Sequence, residues 1–116
     1  MEVLSLLKLL LPEEIFEHFD LVEMKEDTEG KLIFYLDEKL VRPQNHLDKV
    51  LISKGFQEEV EIQDFPLRGK PVYFYVRRRK WTDKQTGKVY STTWDLTANG
   101  TSYTKEFAAF LKELLR

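Results

Sequence analysis

The stretch from Lys70 to Trp81 constrains the fold more than any other part of this chain. It alternates with a period of two: Val72, Phe74 and Val76 fall on one side of an extended strand, and Tyr73, Tyr75, Arg77, Arg79 and Trp81 on the other. The first set suits a core. The second is a row of rings and guanidinium groups, a mixture that stacks on bases and pairs with phosphates. Thr82 to Gly87 follows as a turn, with Gly87 available for a positive φ. Lys88 to Trp94, rich in Val, Tyr, Thr and Trp, reads as the returning strand. Residues 70–94 are therefore expected to form one long β-hairpin with a basic arm.

The charge distribution points the same way. A net charge of −2 conceals 7 Lys/Arg against 16 Asp/Glu in residues 1–65, and 11 against 4 in residues 66–116. Within 66–90, Arg68, Lys70, Arg77, Arg78, Arg79, Lys80, Lys84 and Lys88 are opposed only by Asp83. Together with Tyr75 and Trp81, these eight cations form the candidate DNA-contacting set. A chain so polarised has one side that suits a polyanion. The plainer alternative is a solvated hairpin whose arginines pair with the chain's own acidic half.

Other function classes are excluded or unsupported. The chain has no cysteine, which removes disulfides, thiolate zinc sites and cysteine nucleophiles. Only His18 and His46 are present, too few for a histidine-built metal centre. The leucine-rich start has Glu2 where a signal peptide has a cation, and Lys8 interrupts its apolar run. No stretch reaches the about 20 apolar residues that span a bilayer. No Gly-rich phosphate cradle, nucleophile elbow or metalloprotease helix occurs. The 116 residues are read as one cytoplasmic, non-enzymatic domain, 1–116, with no cofactor and no membrane partner.

Along the chain, Val3 to Leu11 has leucines at helical spacing, Pro12 ends that ladder, and Glu13 and Glu14 suit the start of a second helix running to Phe19. Leu21–Lys25 and Lys31–Leu36 flank the turn Glu26–Gly30 and predict a hairpin edged by acidic residues. Residues 37–56 give no clear period; Leu47, Val50 and Leu51 fit either a short helical face or an irregular loop. Glu59 to Phe65 alternates and is expected to pair with the basic strand after the Pro66–Gly69 turn. From Ser102 or Thr104, a helix with Phe107, Phe110, Leu111 and Leu114 on one face is predicted to run to Arg116, as a helix that expects more protein or a partner.

A family resemblance rests on several pieces in order. Ile62–Tyr73, then Arg77–Trp81 and Thr86-Gly87-Lys88, with Leu10–Glu13 and Thr104–Phe110 near the ends, resemble the N-terminal region of insertion-sequence transposases of the Aon-one-like kind. These are related to the broader ISL-three-like kind. The resemblance implies a region that holds transposon-end DNA, with the nuclease carboxylates in a downstream portion. ISL-three-like relatives carry a C-x-x-C-G-K knuckle at the hairpin tip; here those cysteine positions fall on Asp83 and Thr86. Thr is a poor zinc ligand, so the turn is expected to be held by backbone hydrogen bonds and by packing around Val76, Tyr90 and Trp94.

The fold expected is α+β: an antiparallel sheet of hairpins with N-terminal helices and a C-terminal helix. The function expected is a non-catalytic module binding double-stranded transposon-end DNA through the basic hairpin; a homo-oligomer is compatible with it. The alternative is a protein-interaction module that docks on the downstream catalytic transposase polypeptide.

Overall fold

The computed structural model of the protein describes residues 2–115; Arg116, where the last helix was expected to end, lies outside the described residues. Helix α1 (Val3–Leu10) closes with the Leu11 N–H on the Leu7 carbonyl at 2.9 Å. Pro12 has no N–H to continue that ladder and caps α2 (Glu13–His18), whose first turn carries Glu13 and Glu14 against the positive end of the helix dipole. This is the helix–kink–helix that the leucine spacing and Pro12 predict.

Among the described residues, seven strands follow in two sheets. β1 (Phe19–Glu26), β2 (Leu32–Glu38), β4 (Val60–Leu67) and β5 (Lys70–Arg77) form the larger sheet in the order β1-β2-β5-β4. β3 (Leu51–Phe56), β6 (Arg79–Asp83) and β7 (Val89–Tyr90) form the smaller one, in the order β3-β6-β7. The chain ends in α3 (Lys105–Leu114). The architecture is α+β, rich in antiparallel pairs, with helices at both ends. The central pair β2–β5 is parallel, with Phe34 beside Phe74 and Leu36 beside Val76, a pairing no hairpin signal announces. No helix among the described residues is long and apolar enough to cross a membrane.

The core lies against one face of the larger sheet. Phe34, Leu36, Ile62, Val72, Phe74 and Val76 face Leu7, Leu11, Ile15, Phe16 and Phe19 from the N-terminal segment. The expected core side of the basic strand is therefore the observed one. Asp64 is buried on the same face opposite Val72, where a lone carboxylate would be costly. The Thr104 hydroxyl donates to its Oδ1 at 2.8 Å, and Thr104 also caps α3 by accepting from the Phe107 N–H. Thr104 N–H bonds the Gln63 carbonyl and Gln63 N–H the Ser102 carbonyl, which seats the C-terminal segment along β4. Of the two caps the sequence offers, Thr104 is used.

The basic strand departs from expectation. It does not run unbroken to Trp81: β5 ends at Arg77, and the chain passes through Arg78 into β6 of the other sheet. The Glu38 carboxylate takes the Arg79 N–H at 2.7 Å, so the ladder to β2 stops there and the chain turns towards β3. The returning strand is short; only Val89 and Tyr90 pair, opposite Thr82 and Trp81. Of residues 37–56, the first two complete β2, and the rest hold a 3₁₀ turn at Gln44–His46 and strand β3, not a helical face.

Candidate nucleic-acid interface

The ten residues singled out by charge and alternation separate into distinct environments. Arg68 and Gly69 have φ of 55° and 78°, the left-handed pair that a two-residue type I′ hairpin needs to join Leu67 to Lys70. Arg68 is exposed at that tip, and Lys70 Nζ lies 2.6 Å from Glu26 Oε2. Seven strand steps separate Lys70 from Arg77, roughly 23 Å at the usual rise. The two ends of β5 therefore do not share one patch.

Arg77 and Arg79 are structural links. Arg77 Nε and Nη2 each donate to Asp37 at 2.7 Å, a bidentate pair directly across the parallel ladder. The Asp37 carboxylate accordingly raises the Arg77 pKa. Arg79 Nε donates to the Glu38 carbonyl at 2.8 Å, and both guanidinium groups lie over the Phe56 ring, 4.2 and 4.8 Å from its centroid. Arg77 thus pairs with a carboxylate of the acidic half, whereas Arg79 meets only a main-chain carbonyl of β2. Trp81, expected beside them on an exposed face, is buried at 6% exposure in the central strand of the smaller sheet, between Ser53 of β3 and Tyr90 of β7. Its Nε1 has no hydrogen-bond partner among the described residues.

Tyr75 remains on the outer face of the larger sheet, edge-on to Tyr35 with centroids 5.3 Å apart. Partial burial, and then its hydroxyl's bond to the Glu61 carboxylate, raise its pKa. That face also carries Glu23 and Asp37 at paired positions, so it is not uniformly attractive to phosphate.

The outer face of the smaller sheet differs. Ile52, Thr82 and Val89 are neighbours across its three strands. By alternation Lys54 and Lys80 stand on the same side, and exposed Lys84 follows at the end of β6. Lys54, Lys80, Lys84 and Arg78 make no ion pair with the described residues. The sheet's one strand carboxylate, Asp83, is buried and turned into its own loop. Lys88, at the hairpin's far side, reaches over the Tyr90 ring from 5.4 Å. Lys54 was missed in the sequence because the 37–56 region shows no clear period. The alternation of Leu51 and Ser53 against Ile52 and Lys54 was the available signal.

Asp83 and Thr86 hold the turn directly. Asp83 Oδ1 accepts from the Gln85 N–H at 2.9 Å, the Asp83 carbonyl from the Gly87 N–H at 2.8 Å, and Thr86 Oγ1 from the Lys88 N–H at 3.2 Å. Gly87 has the expected positive φ of 76°. The Gln85 N–H, with Thr86 assisting, lowers the Asp83 pKa from its ordinary value. Of the packing residues expected at this turn, only Tyr90 lies nearby. Trp94 is elsewhere, stacked on His18 at 4.3 Å with its Nε1 donating to Glu38 at 2.9 Å.

A cleft of about 500 Å³, unannounced by the sequence, opens beside the end of β2, between the 39–46 loop and the 91–94 segment. Both histidines line it with Trp94, Arg42 and the buried Glu38. Arg42 Nη2 donates to the His46 and Lys49 carbonyls, which closes the loop forming one wall. Among the described residues, no group of His, Asp or Glu is arranged to hold a metal ion. Comparison with protein-family models, with curated proteins and with solved structures finds no match to this chain.

Proposed function

We propose that this chain is a non-catalytic, cytoplasmic DNA-binding module of the kind found at the N-terminus of insertion-sequence transposases, and that it holds duplex DNA of transposon ends. The observation that carries the reading is the outer face of the smaller sheet. Lys54, Lys80 and Lys84 stand there without partner carboxylates among the described residues, beside hydroxyl-bearing Thr82. Unpaired cations on a twisted sheet suit the phosphate backbone, which supplies most non-specific affinity and fixes register. Arg78 and Lys88 flank this face. Arg68 and Lys70 at the far end of β5 are assigned no more than a peripheral contact, and Arg77, Arg79 and Trp81 a supporting role.

The test is a salt titration of binding to transposon-end and unrelated duplexes. Each lost phosphate contact lowers the slope of log K against log salt by about 0.9, so Lys54→Ser, Lys80→Ser and Lys84→Ser together should flatten it by roughly 2–3 units on both duplexes. A folded triple variant with an unchanged slope would reject this face as the DNA surface.

The second reading, a protein-interaction module docking on the catalytic transposase polypeptide, draws on α1. Val3, Leu4, Leu6, Leu9 and Leu10 are all substantially exposed on this eight-residue helix. If the protein binds no duplex at moderate salt, this reading leads.

A further inference from the structure

The larger sheet has two edges, and only one is covered. Along β4 the backbone of Gln63 is taken by Ser102 and Thr104. Along the outer side of β1 no described strand pairs. Residues Val22 to Glu26 are exposed, with Val22 at 60% and Met24 at 50%. An open edge of this kind is a template for another strand.

Which backbone groups it offers follows from the hairpin. The Asp27 N–H bonds the Lys31 carbonyl, so Lys25 and Glu23, in register with Ile33 and Tyr35, also turn their N–H and C=O groups towards β2. Met24 and Glu26 therefore turn theirs outward. Val22 has no partner in β2 because the register shifts there, and it stands out from the ladder.

We infer that this edge pairs with itself: two copies of the chain join β1 to β1, antiparallel and centred on Met24, to make a continuous eight-stranded sheet. In that register Met24 exchanges both backbone hydrogen bonds with Met24 of the second copy. Glu23 then stands directly opposite Lys25, twice, in the non-hydrogen-bonded positions where side chains approach most closely. A lone lysine on an edge strand normally deters pairing. Here the glutamate two residues before it converts the charge into a register mark, which a shift by one residue would spoil. The two-fold operator needs only this one patch on each copy. This inference does not depend on DNA binding.

The chain's lack of cysteine supplies a direct test. Cα atoms of a hydrogen-bonded antiparallel pair are about 5.5 Å apart, within disulfide range. Met24→Cys should thus cross-link two copies rapidly under mild oxidation. Glu26→Cys should not, since its two copies would be four strand steps, about 13 Å, apart. In parallel, sedimentation of the wild-type chain at tens of micromolar should show a dimer. Lys25→Glu and Glu23→Lys should each give monomers with unchanged circular dichroism, and the double swap should restore the dimer. A monomeric wild-type chain, equal cross-linking at positions 24 and 26, or a dimer that survives Lys25→Glu but dissociates on Leu9→Glu would each overturn the pairing.

Discussion

Glu38 is the residue whose replacement discriminates most sharply among accounts of this fold. Its side chain is 3% exposed and accepts two N–H groups, from the Arg79 backbone at 2.7 Å and from Trp94 Nε1 at 2.9 Å. The change Glu38→Gln keeps the shape but replaces one carboxylate oxygen by an NH₂ group facing a donor. One charge-assisted hydrogen bond, worth about 1.5–3 kcal/mol, is lost; a buried N–H is left unpaired at about 1–3 kcal/mol; the two overlap in part, for a total of roughly 3 kcal/mol. With a urea dependence of about 1–3 kcal/mol per molar, the midpoint should fall by at least ~1 M. Urea titration followed by circular dichroism measures this. Trp94 emission should shift to the red at lower urea than the dichroism changes, because Glu38 is what ties that ring to the sheet. A midpoint within ~0.2 M of wild type, at unchanged m, would refute the claim that this carboxylate holds the sheets at their junction.

Three further outcomes follow from the same geometry. Phe74→Ala, at a fully buried position between Phe34 and Ile62, should cost about 3–5 kcal/mol in denaturant titration and affect binding only through unfolding. Arg77→Ser should cost no more than about 1 kcal/mol, because its pair with Asp37 is half-exposed, and should leave the salt slope of DNA binding unchanged in a titration of the folded variant. Asp83 has a folded-state pKa below its ordinary value, so its contribution is present above about pH 4 and is lost as pH falls through the folded pKa; Asp83→Asn should melt lower than wild type at neutral pH, and the gap should close on acidification.

Much of the fold was legible because it rests on local signals. Pro12 after a leucine ladder, the acidic turn before Lys31, the alternation of Val72, Phe74 and Val76, and Thr104 ahead of an apolar helical face all specify elements from neighbours in the chain. The candidate site was less legible because its decisive contacts are remote. Arg77 looks like a phosphate ligand until Asp37 is set beside it by a parallel pairing 40 residues away in sequence. The break at Arg78 depends on the Glu38 side chain, and Trp81 changes from surface to interior only because the chain changes sheets there. Period-two reasoning assumes one continuous strand, and it assigns faces correctly up to the residue where that assumption ends. Lys54 was obscured for the converse reason: its strand is specified by β6, which comes later in the chain.

The order of strands carries a consequence for assembly. β3 leaves the chain between the two hairpins of the larger sheet, yet its partner β6 is reached only after β5. The hairpins β1–β2 and β4–β5 can each form early from near neighbours, but the parallel seam between them closes a loop that already contains β3. The smaller sheet must wait for that closure, or for the end of β5, before β3 finds a mate. The two sheets are thus threaded through one another in sequence, and no single cut between β1 and β7 leaves every strand pairing within one piece or the other. Truncation cannot isolate the lysine-bearing sheet; it has to be studied in the company of the acidic one.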